Sequence, residues 1–510
     1  MKEIINVEMK TRRVDFSKCK TELLVVGQFS DVKVLDKLNK ELDRKLGGAI
    51  ERLIKLGDFK GKEGTSTVVY GDGKIGAKRV MLVGLGKKKK ATLDTVRKAT
   101  ANAGKKSVEM KVKNISMALH SAFGGRFDLS AMGRAIAEGV YYGSYRYDEF
   151  VTESEEPRAD SLRIELIDPD SAKTKKLNKG LLQGVIIGKA QATVRTLANR
   201  PGNVLNPAAL AAEAKRIAKS TAGLSCAVFD EKELAVKGMG GVLAVGAGSG
   251  NKPRFIVLKY NGAGKRGGRP TIGLVGKAVT FDAGGISIKR STDMDQMKLD
   301  KSGGIAVLGV MKATAEMRLP INIYGVIPAV ENLPSGTSYR PGDIITTFIG
   351  KTVEVRDTDA EGRLILSDGL SYAVKQKCDI IIDIATLTGS CKVALGSHMA
   401  GLMGNDEKLI KQLQRAAEES GEKVWAMPSG DEYAEEMKSK IADLRNVGSK
   451  WGGACAAAAF LRQFVDEVKW AHLDIAGVDM LEKETAFSEQ GASGFGVRLL
   501  MSYLINMAGK

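Results

Sequence analysis

An α/β protein is predicted, with a smaller N-terminal α/β domain joined by a helix to a larger C-terminal domain built on a mostly parallel central sheet. Three observations predict it. The chain has 510 residues, too many for one hydrophobic core. Short apolar runs alternate with stretches of helical spacing along its whole length. Glycines number 59 against 11 prolines, as expected where many tight turns link strands to helices.

In the N-terminal third, Glu22–Val26 and Val80–Val83 are apolar runs that end in Gly-containing turns, which suits buried strands. Residues 91–105 and 129–140 have helical spacing. Ser161–Ile167 alternates as a strand does, and Asp168-Pro-Asp marks a turn. A Lys-rich helical stretch then runs to about Leu197. The predicted division is therefore 1–170, a connecting helix 171–198, and 199–510. Asn199-Arg-Pro-Gly-Asn-Val-Leu-Asn-Pro207 reads as a loop, followed by a helix from about Ala208 to Ser220. Arg254–Tyr260, Thr271–Gly276, Ile321–Ile327, Thr352–Arg356, Asp379–Ala385 and Trp470–Ile475 read as strands. Several are apolar on both faces, the pattern of a covered parallel sheet.

Composition excludes several classes. Hydrophobic residues at 43% and charged residues at 27% describe a soluble globular chain. No run approaches the roughly 20 apolar residues of a membrane span, and the charged first 25 residues lack the core of a signal peptide. Cys19, Cys226, Cys378, Cys391 and Cys455 are scattered without a C-x-x-C pair, so reduced thiols in a cytoplasm are expected. The net charge is +18, and residues 1–150 hold 31 Lys/Arg against 18 Asp/Glu, densest at Lys87–Lys90. That surplus raises nucleic-acid binding as an alternative function, although no aromatic residues interleave with the lysines. A solvated basic face that maintains solubility is the preferred reading of that charge.

Two glycine-rich segments are weak signals. Gly246-Ala-Gly-Ser-Gly250 lacks the G-x-G-x-x-G spacing and is read as a turn, as is Gly84-Leu-Gly86. Asp357-Thr-Asp-Ala-Glu-Gly362 starts like a calcium loop, but a strand pattern precedes it and position twelve is Asp368.

Chemistry concentrates in three segments: Gly273 to Lys289, Met297 to Gly304, and Asp357 to Leu364. They carry Asp282, Asp300, Asp357, Asp359 and Glu361 beside Lys277, Lys289 and Arg363. The three histidines, His120, His398 and His472, are not spaced as a zinc pair. A hydrolytic metal site would therefore be built from oxygen ligands, which suit Mg²⁺ and Mn²⁺ and tolerate Zn²⁺. Gathered carboxylates repel one another, and two divalent cations would neutralise them and share an activated water.

At these residues the sequence closely resembles the leucyl aminopeptidase (cytosol aminopeptidase) family. Thr358-Asp-Ala-Glu-Gly-Arg-Leu364 and Val275-Gly-Lys-Ala-Val-Thr-Phe-Asp-Ala-Gly-Gly-Ile-Ser-Ile-Lys289 carry the likeness. It continues through Asp383–Gly389, Trp470–Gly477 and Gly491–Leu500, covering about residues 185–505. The resemblance implies a metal-dependent aminopeptidase acting on peptides with free N-termini, Leu-like residues preferred. It implies one metal on Asp282, Asp359 and Glu361, and a second on Lys277, Asp282, Asp300 and Glu361. The metals expected are Mn²⁺ or Zn²⁺, with Mg²⁺ or Co²⁺ as alternatives. Lys277 ligates only as a neutral amine, so the cations and burial must lower its pKa.

The implied mechanism is attack by a metal-bridging hydroxide on the first peptide carbonyl, with Lys289 stabilising the oxyanion. Arg363 would hold a bicarbonate as general base. Thr386, Leu387 and Gly389 would line the peptide edge, and Met297 the first side-chain pocket. A homohexamer is likewise implied. Two departures stand out: Asp357 replaces the usual Asn, and Lys301 follows Asp300 where many members have Met. Both bear on metal preference and substrate range. A two-metal phosphatase or nuclease is disfavoured by Lys277 and by the lack of catalytic histidines.

Overall fold

The computed structural model describes residues 5–32, 34–152, 159–264 and 269–509. Its chain forms two compact units: residues 1–192 with 482–490, and residues 193–481 with 491–510.

The first unit is a six-stranded sheet in the order Asn6–Arg13, Ser161–Asp168, Asn114–Met117, Leu23–Gln28, Arg79–Gly84, Ser66–Tyr70. All neighbours are parallel except the last pair. The alternation read in Ser161–Asp168 places Leu162, Ile164 and Leu166 in one core. Asp168 and Asp170 explain the turn that follows. Asp168 accepts the Asp170 N–H at 2.8 Å, and Asp170 accepts that of Ala172 at 2.7 Å, opening the helix Ser171–Asn199. Lys88–Lys90, within the basic run, is a single 3-10 turn fixed by Asp31, which accepts the Lys88 N–H at 2.8 Å. The 482–490 segment belongs to this unit, and sequence pattern does not foretell it. Asn102 donates to the Ala486 carbonyl at 3.1 Å, and Lys105 donates to that of Thr485 at 2.6 Å.

The second unit is built on a nine-stranded sheet. Four strands at its centre, Lys469–Asp474, Ile380–Ala385, Thr271–Gly276 and Asn322–Asn332, are mutually parallel. Ala278–Asp282 continues beside the last of them. Arg254–Asn261 and Leu224–Phe229 add antiparallel pairs at one side, and Ala400–Gly404 runs antiparallel to Lys469–Asp474 at the other. All six residues of Ile380–Ala385 are buried, as its unbroken apolar run requires. Ser302–Glu316 packs against these strands and against Val497–Ala508, and Gly362–Lys375 packs against the strands together with Gly453–Arg462. The segment read as the strand Thr352–Arg356 forms Thr352–Glu354, which lies in a separate three-stranded sheet with Ile344–Thr346 and Leu444–Arg445. Its alternation reports one buried face and cannot tell which sheet it joins. Gly246 ends the short helix Gly240–Gly246, and the turn follows directly at Ala247 and Gly248.

Asn206 and Pro207 start the helix Pro207–Ser220, with the Asn206 side chain accepting the Ala209 N–H at 2.9 Å. All five cysteines are free. Among the described residues no helix is long and apolar enough to cross a membrane.

Candidate active site

The site lies where the parallel strands end, the edge at which such sheets present their ligand-binding loops. Lys277 follows Thr271–Gly276, Asp282 closes Ala278–Asp282, and Asn332 closes Asn322–Asn332. Thr386 follows Ile380–Ala385, and Asp474 closes Lys469–Asp474. Asp300 precedes the helix Ser302–Glu316, and Asp359 and Glu361 precede the helix Gly362–Lys375. Residues as far apart in the chain as Lys277 and Asp474 thus converge because the strands that deliver them are neighbours.

The convergence is tight. Lys277 Nζ lies 2.7 Å from Asp300 Oδ1 and 2.7 Å from Glu361 Oε1, and it donates to the Thr386 carbonyl at 2.8 Å. Lys289 Nζ lies 2.8 Å from Asp282 Oδ2 and 2.5 Å from Asp359 Oδ1. One oxygen from each of Asp282, Asp359 and Glu361 lies within 4.8 Å of the other two. All six side chains line a cavity of about 280 Å³, together with Met297, Thr386, Leu387 and Gly389.

Supporting groups hold this geometry. Asp282 Oδ1 accepts the Gly284 N–H and the Asn332 side-chain amide, each at 2.9 Å. Asn332 also donates to the Thr358 carbonyl at 2.9 Å, as does the Tyr339 hydroxyl at 2.7 Å. Gly284 and Gly285 have φ of +88° and +67°. A Cβ on Gly285 would sit 2.7 Å from Asn332 Oδ1, so the Gly-Gly pair is what lets this turn close over the cluster. Thr386 Oγ1 donates to Asp300 Oδ1 at 2.7 Å. Asp474 accepts from the Leu387 N–H at 3.2 Å and the Thr388 hydroxyl at 2.7 Å, fixing the segment after Ile380–Ala385.

Electrostatics favour cation binding. Burial pushes up the pKa of Asp359, and repulsion from Asp282 adds to it, reaching about 7 despite Lys289. Glu361 is raised by the same two causes. Burial raises Asp300 against the pull of Lys277. Burial also opposes the charge on Lys277, but Asp300, Glu361 and Asp282 together outweigh it and hold its pKa above the ordinary value. Divalent cations taking those carboxylates would remove what keeps Lys277 protonated, and their binding would release protons. The donor set fits such ions. It consists of hard oxygens plus one amine, and Asp300 Oδ2 is buried without a hydrogen-bond partner.

Arg363 is 7% exposed, and its Nη1 donates to the Asn446 carbonyl at 2.7 Å. Its Nε has no hydrogen-bond partner. Burial lowers its pKa to about 10, which leaves it charged at neutral pH. Lys301 is fully buried and donates to the carbonyls of Arg200, at 2.9 Å, and Lys298. Asp357 Oδ1 accepts the Asp359 N–H at 2.9 Å, and Asn446 donates to the Asp357 carbonyl at 2.6 Å. Sequence reasoning missed Asn332, Asn446 and Asp474 as supports. Asp474 alone lay within a segment already singled out.

Residues 192–501 match the catalytic domain of the cytosol aminopeptidase family, and residues 25–154 match its N-terminal domain. A probable cytosol aminopeptidase of Geobacter sp. (strain M21) is 42% identical over 489 residues, 95% of this chain and 96% of that protein. One from Geobacter sulfurreducens is 42% identical over 503 residues, 98% of this chain and 99% of its own length. A tomato leucine aminopeptidase mutant superposes with a TM-score of 0.87 at 33% identity, covering 98% of this chain and 96% of that one. The bottromycin maturation enzyme BotP in complex with Mn gives 0.83 at 31% identity, covering 96% of this chain and all of that one. The chain belongs to the cytosol aminopeptidase family of peptidases.

Proposed function

We propose that the protein is a metal-dependent aminopeptidase that releases N-terminal, Leu-like residues from peptides at the cavity lined by Lys277, Asp282, Asp300, Asp359 and Glu361. The observation that carries this reading is the convergence of Lys277, Asp282, Asp300, Asp359 and Glu361 from three separate segments onto one buried point. Asp282, Asp359 and Glu361 would hold one divalent ion, and Lys277, Asp282, Asp300 and Glu361 the other. Mn²⁺ or Zn²⁺ would be the natural occupants. Such ions supply positive charge that acidifies water and polarises a peptide carbonyl.

The chain's own groups do the rest. Lys289, partly exposed at the cavity wall, places an ammonium where an oxyanion develops. Arg363 keeps one N–H uncommitted in a buried fork suited to a planar anion such as bicarbonate, which would take the proton as general base. Met297, Thr386, Leu387 and Gly389 would line the substrate's path. Assembly as a homohexamer and residence in the cytoplasm belong to the same proposal. Nucleic-acid binding by the basic first 150 residues rests on charge alone, whereas the peptidase reading rests on converging geometry.

A panel of aminoacyl p-nitroanilides tests this. Release that depends on added Mn²⁺ or Zn²⁺, stops with chelator and favours Leu is expected. N-terminally acetylated substrates are expected to be inert; their cleavage would contradict recognition of the free amine.

A further inference from the structure

Asp479 is an ionisable group on the cavity wall that the chemistry above leaves unused. It lies just beyond the strand Lys469–Asp474, in a segment held firmly by its backbone. Its N–H donates to the Ile475 carbonyl at 3.0 Å, and its carbonyl accepts the Ser493 N–H at 2.8 Å. It lines the same cavity as Lys277 and Asp300, beside Met297, Leu387, Ala476 and Met480. Gln296, Thr388 and Lys392 complete that side of the cavity, so its apolar side chains stand beside a carboxylate that a purely aliphatic substrate side chain does not need.

We propose that Asp479 makes the cavity a receptor for N-terminal residues with a cationic side chain, Lys or Arg, in addition to Leu-like ones. The proposal rests on the aminopeptidase reading and names a further substrate class for it. A long basic side chain would lay its methylene stem along Met297 and Met480 and bring its charge to the carboxylate. Among the described residues, no side-chain hydrogen bond or ion pair engages the Asp479 carboxylate. Burial pushes its pKa up to about 7, and the charge of Lys392 on the nearby helix Gly389–Leu395 pulls the other way without restoring the ordinary value. An entering ammonium or guanidinium would give this carboxylate a direct partner, which a Leu side chain does not.

The test compares kcat/KM for Arg- and Leu-p-nitroanilide in the metal-loaded enzyme. The wild type should turn over both. Asp479→Asn, nearly isosteric, should lower the Arg-to-Leu ratio at least about tenfold. Lys392→Ala, at an exposed position on a surface helix, should raise that ratio by removing the competing ammonium, and it gives a readout if Asp479→Asn folds poorly. A wild type that cleaves Leu but neither Arg nor Lys would overturn the proposal and leave the aminopeptidase reading standing. So would ratios unchanged within about twofold in both variants. No release from any substrate would overturn the aminopeptidase reading, and this proposal with it.

Discussion

Glu361→Ala is expected to lower kcat/KM by at least about 10³-fold while leaving the fold intact. Glu361 is 1% exposed and is, with Asp282, one of the two acids proposed to serve both cation positions. It contributes an oxygen beside Asp282 and Asp359, and it meets Lys277 at 2.7 Å. Removing it takes a donor from both proposed cation positions at once. Stability should not follow activity. Burial and the neighbouring Asp282 raise the Glu361 pKa, so its ionised form is held against its surroundings. Lys277 would keep Asp300 and the Thr386 carbonyl as partners in the variant. Steady-state kinetics and thermal unfolding of the same sample check this. Near wild-type turnover, or a variant that does not fold, would contradict it.

Gly362→Ala is the second large effect, and it acts without touching a candidate ligand. Gly362 opens the helix Gly362–Lys375 directly after Glu361. A Cβ there would lie 2.7 Å from Lys277 Cε and 2.9 Å from its Nζ. Lysine tips usually yield cheaply, but this one is fixed on three sides by Asp300, Glu361 and the Thr386 carbonyl. Either the amine or the start of the helix must shift, and both carry the cluster. A displacement of this kind is worth about 10²-fold in rate. Ala is the better helix former, so the melting temperature should stay close to that of the wild type. Measured kcat/KM within threefold of wild type would show that the site tolerates the shift.

Much of this was legible in the sequence because the informative segments are local. The apolar runs at Thr271–Gly276 and Ile380–Ala385 announce buried parallel strands, and the acids lie immediately beyond strands or before helices. What sequence could not give was register between segments. Leu224–Phe229 escaped notice because it is a half-exposed edge strand whose Ser and Cys weaken its pattern. Thr352–Glu354 alternates correctly yet pairs in a different sheet, since alternation records a buried face and not a partner. Asn332 and Asn446 are single amides whose importance comes only from where their strand or loop ends. Asp479 reads in the sequence as an ordinary loop acid, and only the cavity gives it a role. The 482–490 segment carries no period linking it to the first unit.

The central claim is that five side chains enclose two cations at one point. Anomalous scattering from crystals grown with Mn²⁺ tests it most directly. The account predicts two peaks about 3.5–4 Å apart, one against Asp282, Asp359 and Glu361 and the other against Lys277, Asp282, Asp300 and Glu361. Manganese bound only elsewhere, in crystals of an enzyme that still hydrolyses its substrate, would contradict it.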